Sequence, residues 1–150
     1  MNNINIRILD HKKLKKYLKS LEFFGLNKNK VYIINYFADG EEQVDLSECK
    51  AHCIQIKMPD IRFSTAVEGF ADEHKEEFNK IAMFIKEAVT NGHMIICSCD
   101  AGVSRSAATA KAIKEFYYGT GNEVDASGDY IPSPTYYQAI MDALIEANNG

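Results

Sequence analysis

The sequence predicts an α/β protein: a mainly parallel central sheet of about four to five strands with helices on both faces, folded as one domain over residues 1–150. Three features point there. Residues 31–36 (VYIINY) and 94–97 (MIIC) are nearly continuous apolar runs rich in β-branched and aromatic residues, the pattern of strands buried on both faces. Stretches with apolar residues at helical spacing lie before, between and after them. Residues 93–118 join one buried strand to a helix through a small-residue loop, the junction from which parallel sheets are built.

In chain order, residues 5–9 alternate weakly and suit an edge strand, entered from a disordered tip. Asp10 then caps a helix running to about Phe24. Leu14, Tyr17, Leu18 and Leu21 form its apolar side, Lys12, Lys13, Lys15, Lys16 and Lys19 cover the rest, and Gly25 ends it. The strand at 31–36 runs into a turn at Asp39 and Gly40. Residues 41–50 are polar and irregular. In the strand at 52–58, Ile54 and Ile56 alternate with Gln55 and Lys57, and Pro59 stops it. Residues 61–70 carry few regular signals. The clearest helix follows: Phe78, Ile81, Ala82, Ile85 and Val89 make one stripe, with Asp72, Glu73, Glu76 and Glu77 early and Asn91-Gly92 at its end. Residues 119–130 read as a polar loop. Ser133 and Pro134 then open a last helix as N-cap and first residue, with Tyr137, Ile140, Met141 and Leu144 as its buried stripe. There is no internal repeat, low-complexity tract or linker.

The chemistry concentrates in the turn, HMIICSCDAGVSRSAATAKAIKEFYY. Five residues separate Cys99 from Arg105, so a chain curling between them wraps its N–H groups around a point with the sulfur beneath and the guanidinium at the rim. Such a cup suits a phosphate-sized dianion. N–H groups and the dipole at a helix start attract anions, and Arg grips two phosphate oxygens in a planar fork. The same cations and dipoles favour an ionised sulfur. Lys outnumbers Arg 14 to 3, so one of few arginines stands where planar recognition needs one.

At these residues the chain resembles the cysteine-dependent protein tyrosine phosphatase superfamily, especially its small dual-specificity-like members, compact microbial ones included. The family signature is His-Cys, five residues, Arg, Ser/Thr; here it reads Ser98-Cys99-Asp100-Ala101-Gly102-Val103-Ser104-Arg105-Ser106. The likeness covers residues 31–148 in architecture and only 58–60 and 97–106 in specific motif. It implies a phosphatase-like fold and a phosphate-binding loop of Cys99, Asp100, Ala101, Gly102, Val103, Ser104 and Arg105. Cys99 is then the nucleophile that forms a phosphocysteine, Arg105 the phosphoryl clamp, and Ser106 the hydroxyl bonded to the sulfur. The competing readings are a buried structural cysteine, a surface helix arginine and a plain helix-start serine.

The leaving oxygen needs a proton and the second-step water must lose one; a single carboxyl group can do both. Asp60 in Met58-Pro59-Asp60 is the candidate, because it follows a strand end and resembles the family's mobile Trp-Pro-Asp loop with Met58 in the Trp place. Asp72 is the rival, but reads as an N-cap. Asp100 would repel phosphate if turned inward and is expected to face outward. Two departures from the family stand out. Ser98 replaces the histidine that orders the loop, implying slower turnover than in relatives that keep it, and Thr135 replaces the Asn of a Pro-Asn helix opening. Tyr36, Phe37 and Phe63 are candidate walls of a shallow pocket.

Composition sets the remaining bounds. With 46% hydrophobic and 25% charged residues the chain is ordinary globular protein, and no apolar run is long enough to span a membrane. No signal peptide or lipidation motif is evident, so a cytoplasmic location is expected. Cys49 and Cys53 fall within zinc-like spacing, yet Cys97 and Cys99 do not complete a site, and reduced thiols are the expectation. His11, His52, His74 and His93 show no metal spacing and read as structural or surface. Neither a metal nor a cofactor is expected. Residues 1–30 carry eight Lys/Arg against two acids, while the whole chain has net charge −4. That basic face reads first as solvated helix surface, and the acidic total disfavours nucleic acid. Nothing in the sequence sets the oligomeric state.

The sequence therefore predicts a metal-independent protein phosphatase acting on phosphotyrosine, and in a dual-specificity enzyme also on phosphoserine or phosphothreonine; its partner is a phosphorylated protein or peptide. The absence of lysine in the loop demotes phosphoinositides. A non-catalytic phosphate- or phosphopeptide-binding module is the first alternative. A thiol redox protein using Cys97 and Cys99 is the second, hindered by the single residue between them.

Overall fold

The computed structural model describes residues 3–149; the tip Met1-Asn2, the terminal Gly150 and the side chain of Leu21 lie outside the described residues. Strand β1 (Asn5–Asp10) passes directly into α1 (His11–Leu18), followed by α2 (Leu21–Phe24), β2 (Val31–Phe37) and β3 (His52–Lys57). Next come α3 (Phe70–Glu73), α4 (Lys75–Asn91), β4 (Met94–Cys99), α5 (Arg105–Tyr118), α6 (Asn122–Ala126) and α7 (Pro134–Asn149). The four strands pair in the order β1-β4-β2-β3, every pairing parallel, with Asp10 opposite Cys99 and Ile34 opposite Cys97. β4 is thus interior to the sheet, and its carboxyl end opens where ligands sit in such sheets.

Successive residues of the strands face opposite sides, and each side is covered. On one, Tyr32, Ile34, Tyr36, Ile95, Cys97 and Cys99 pack against α4, α5 and α7 through Ile81, Ile85, Ile113 and Ile140. On the other, Val31, Ile33, Met94 and Ile96 meet Leu14, Tyr17 and Phe23 of the first helices. Burying each such aliphatic side chain contributes about 1.5–3 kcal/mol. The doubly buried strands are those that the sequence marked by unbroken apolar runs.

Several elements differ in detail from expectation. The helix expected over 10–24 is two, because Ser20 donates from Oγ to the Tyr17 carbonyl at 2.6 Å and accepts from Phe23 N at 3.1 Å, starting a fresh turn. Asp10 caps the first as expected, accepting from Lys13 N at 2.6 Å. β4 runs on to Cys99 rather than ending at Cys97. The polar loop after α5 contains α6, which buries Val124. On α7 the buried set is Thr135, Tyr136, Ala139, Ile140, Ala143 and Leu144, while Tyr137 and Met141 are only half-buried. That helix packs on both α4 and α5, so its buried face is centred on small alanines that admit close approach.

Candidate active site

The five residues between β4 and α5 form a tight arc. Gly102 has φ +65° and is buried against the start of α1: a Cβ there would come within 2.6 Å of Asp10 N and 2.9 Å of Asp10 Cα. Only glycine fits both the backbone sign and the space. The arc's carbonyls accept from outside it. His11 N donates to Asp100 O at 3.3 Å, Ile131 N to Val103 O at 2.9 Å and Ser133 N to Ser104 O at 3.3 Å. The amides of Ala101, Gly102, Val103 and Ser104 find no protein acceptor among the described residues. Free N–H groups at the start of a helix attract anions. Cys99, 1% exposed, ends β4 immediately before the arc, with its Sγ 3.1 Å from Ser106 Oγ.

Arg105 opens α5 and is also 1% exposed. Its Nη2 donates to Glu41 Oε2 at 2.8 Å and its Nη1 to the Met58 carbonyl at 3.1 Å. Of five N–H donors, three remain for a ligand. Nε has no hydrogen-bond partner and faces Asp60 Oδ1, equally unpartnered, across 3.8 Å. Burial works against the guanidinium charge, but the Glu41 hydrogen bond and the nearby Cys99, Glu41 and Asp60 raise its pKa on balance. A fixed, desolvated cation beside a thiol and a carboxyl group is the result.

Asp60 is carried on a braced segment. Met58 N donates to Phe37 O at 3.0 Å, continuing the β2–β3 ladder, and the Met58 side chain is buried. Tyr136 Oη, from α7, donates to the Pro59 carbonyl, and burial pushes the Tyr136 pKa well up, keeping it a donor. Asp60 Oδ2 accepts from Arg62 Nε at 2.5 Å. Asp72 lies in α3 and is exposed. Thr135 accepts from Val67 N at 2.9 Å, so it holds the segment before α3 rather than the arc.

Ser98 is fully buried, and its Oγ has no hydrogen-bond partner. A different histidine touches the arc. His11, 3% exposed, has its Nε2 3.1 Å from the Tyr36 carbonyl and 3.0 Å from Asn35 Nδ2, and Asn35 Oδ1 in turn accepts from Gln55 Nε2 at 3.1 Å. Its Nδ1 lies 3.7 Å from Asp100 Oδ1. Asp100, with its side chain 52% exposed, is turned toward α1.

No protein-family model and no curated protein sequence matches the chain. Solved structures do. The chain is similar to DUSP15 at 16% identity and TM-score 0.58, over 99% of this chain and 90% of that one. It is similar to PTPMT1 in complex with PI(5)P at 10% identity and TM-score 0.57, over 97% and 93%. The active form of Tk-PTP gives 15% identity and TM-score 0.56, over 95% and 93%. The fold is that of the small dual-specificity-like phosphatases.

Within this phosphatase fold, Cys99, Arg105 and Ser106 come together with Asp60, though 39 positions separate Asp60 from Cys99 in the sequence. The pocket walls are a correction. Tyr36 is wholly buried, with its hydroxyl 2.7 Å from Thr109 Oγ1, and cannot line a surface pocket. Phe37 is half-buried, and Phe63 is 65% exposed. Beside Met58 and Pro59 lies an open depression of about 390 Å³ that also touches Ala38, Asp39 and Lys57. The sequence reading missed Glu41, His11 and Tyr136, which arrive by tertiary packing from segments with no local motif. Among the described residues, no three His, Cys, Asp or Glu side chains gather to hold a metal ion.

Proposed function

We propose that the protein hydrolyses phosphate monoesters on proteins, phosphotyrosine foremost and phosphoserine or phosphothreonine in a dual-specificity enzyme, through a phosphocysteine at Cys99. What supports this reading is Cys99 Sγ, 3.1 Å from Ser106 Oγ, near the buried guanidinium of Arg105, whose free Nε faces Asp60. A phosphate monoester repels an anionic nucleophile; donors already fixed around the phosphoryl oxygens offset that repulsion.

In the first step the Cys99 sulfur attacks phosphorus, the ester P–O bond breaks, and Asp60 gives its proton to the departing oxygen. Arg105 and the amides of residues 100–104 hold the phosphoryl oxygens. In the second, Asp60 takes a proton from water, the water oxygen bonds to phosphorus, the S–P bond breaks, and Ser106 stabilises the sulfur that leaves. Glu41 orients Arg105 without touching the substrate. PTPMT1 has been solved with PI(5)P; here the arc carries Asp100 and no lysine, which favours a phosphopeptide over an inositol phosphate.

Hydrolysis of p-nitrophenyl phosphate in EDTA tests this. The wild type is expected to turn over, Cys99→Ser to be inactive, and Asp60→Ala to lose about 10²–10⁴-fold together with the basic limb of its pH profile. A wild type that binds phosphate tightly yet never turns over overturns catalysis in favour of the binding module.

A further inference from the structure

The start of α1 meets the arc at successive residues. Gly102 packs against Asp10, His11 N donates to the Asp100 carbonyl at 3.3 Å, and the His11 ring approaches the Asp100 side chain. His11 Nδ1 is buried, has no hydrogen-bond partner among the described residues, and stands 3.7 Å from Asp100 Oδ1. Buried polar atoms are ordinarily paired; this one faces a carboxylate that is itself half in solvent. That carboxylate belongs to the residue directly after Cys99. Swung into the arc, it would oppose an incoming dianion; held on the α1 side, it does not.

The other ring nitrogen is fixed from across the sheet. Gln55 Nε2 donates to the Val44 carbonyl at 2.7 Å and to Asn35 Oδ1 at 3.1 Å, while Gln55 Oε1 accepts from Gln43 Nε2 at 3.3 Å. Those bonds turn the Asn35 Nδ2 hydrogens toward His11 Nε2, 3.0 Å away. The Tyr36 carbonyl, 3.1 Å from the same nitrogen, is the competing partner. Asn35 stands opposite Ser98 in the strand register, yet Ser98 Oγ is unpartnered. The polar chain beside β4 therefore reaches the arc through His11 and not through Ser98.

We propose that His11 is a positioning residue for phosphate binding: its Nδ1–H holds the Asp100 carboxylate on the α1 side, away from the anion that the arc receives. This rests on the reading of the arc as the phosphate site. His11 touches no substrate and acts through Asp100. Asn35, by donating to Nε2, leaves the ring proton on the nitrogen that faces the carboxylate.

Calorimetric titration of the intact protein with inorganic phosphate tests the proposal. His11→Ala is expected to weaken phosphate binding roughly tenfold, and to raise KM for p-nitrophenyl phosphate by a larger factor than it lowers kcat. His11→Asn, whose side-chain amide nitrogen takes the place of Nδ1, is expected to restore most of the affinity. The deciding comparison is made in Asp100→Asn protein, where there is no charge to hold; there His11→Ala is expected to change affinity by less than about twofold. A histidine that merely supports the fold would weaken binding equally in both backgrounds. That result, in a wild type that binds phosphate and turns over p-nitrophenyl phosphate, overturns the inference alone. So does a long-range nitrogen–proton NMR correlation showing a neutral wild-type His11 ring with its proton on Nε2, a readout that stands whether or not His11→Ala folds. A wild type that neither binds phosphate nor turns over overturns the functional reading together with the inference.

Discussion

Ser106 Oγ, on the second residue of the helix that follows the arc, stands 3.1 Å from Cys99 Sγ and can donate to that sulfur when it carries negative charge. A hydrogen bond to a charged partner contributes about 1.5–3 kcal/mol. Ser106→Ala is therefore expected to lower kcat by roughly 10–150-fold, with pre-steady-state quenching showing more phosphoenzyme at steady state because release of the sulfur slows. Unchanged kcat sinks this role. Cys99, Arg105 and Ser106 could be singled out in the sequence because they fall in one continuous stretch between a buried strand and a helix that resembles the phosphatase signature. Glu41 and His11 were not. Glu41 is one of many acids in a polar segment until Arg105 Nη2 meets it at 2.8 Å, and His11 matters only because β1 pairs beside β4 and sets the start of α1 against Asp100.

The elements that mattered most for position are short. Gly102 lets the arc pass within contact distance of Asp10, so the arc and the start of α1 are built as one piece. Gly102→Ala combines a positive φ with a Cβ 2.6 Å from a backbone nitrogen, and is expected to cost about 2 kcal/mol or more. In a chain of this length that lowers Tm by roughly 4–8 °C, and phosphatase activity is expected to fall with it. A Gly102→Ala protein with wild-type Tm and turnover contradicts the coupling. Helices and strands with strong periodicity were read correctly in kind. The errors came where a single side chain overrode the pattern, as Ser20 does between α1 and α2, or where a helix is gripped on two sides, as α7 is by α4 and α5.

At the scale of the molecule, a parallel sheet with β4 interior delivers Cys99 to a carboxyl edge, while β3 delivers Asp60 to the same edge from two strands away. The sequence announced strands alternating with helices, but not the order β1-β4-β2-β3, since strand order depends on pairings between segments far apart in the chain. That order also puts the sheet between Cys49–Cys53 and Cys99, a separation invisible in a list of four cysteines. The central claim is that phosphate passes through sulfur. Acid-quenching the wild type during turnover of p-nitrophenyl phosphate and mapping the peptide that contains Cys99 by mass spectrometry tests it directly. The expected result is a phosphoryl adduct on Cys99 that is absent from Cys99→Ser; turnover with no adduct at any quench time, or with the phosphoryl group on another residue, contradicts the account.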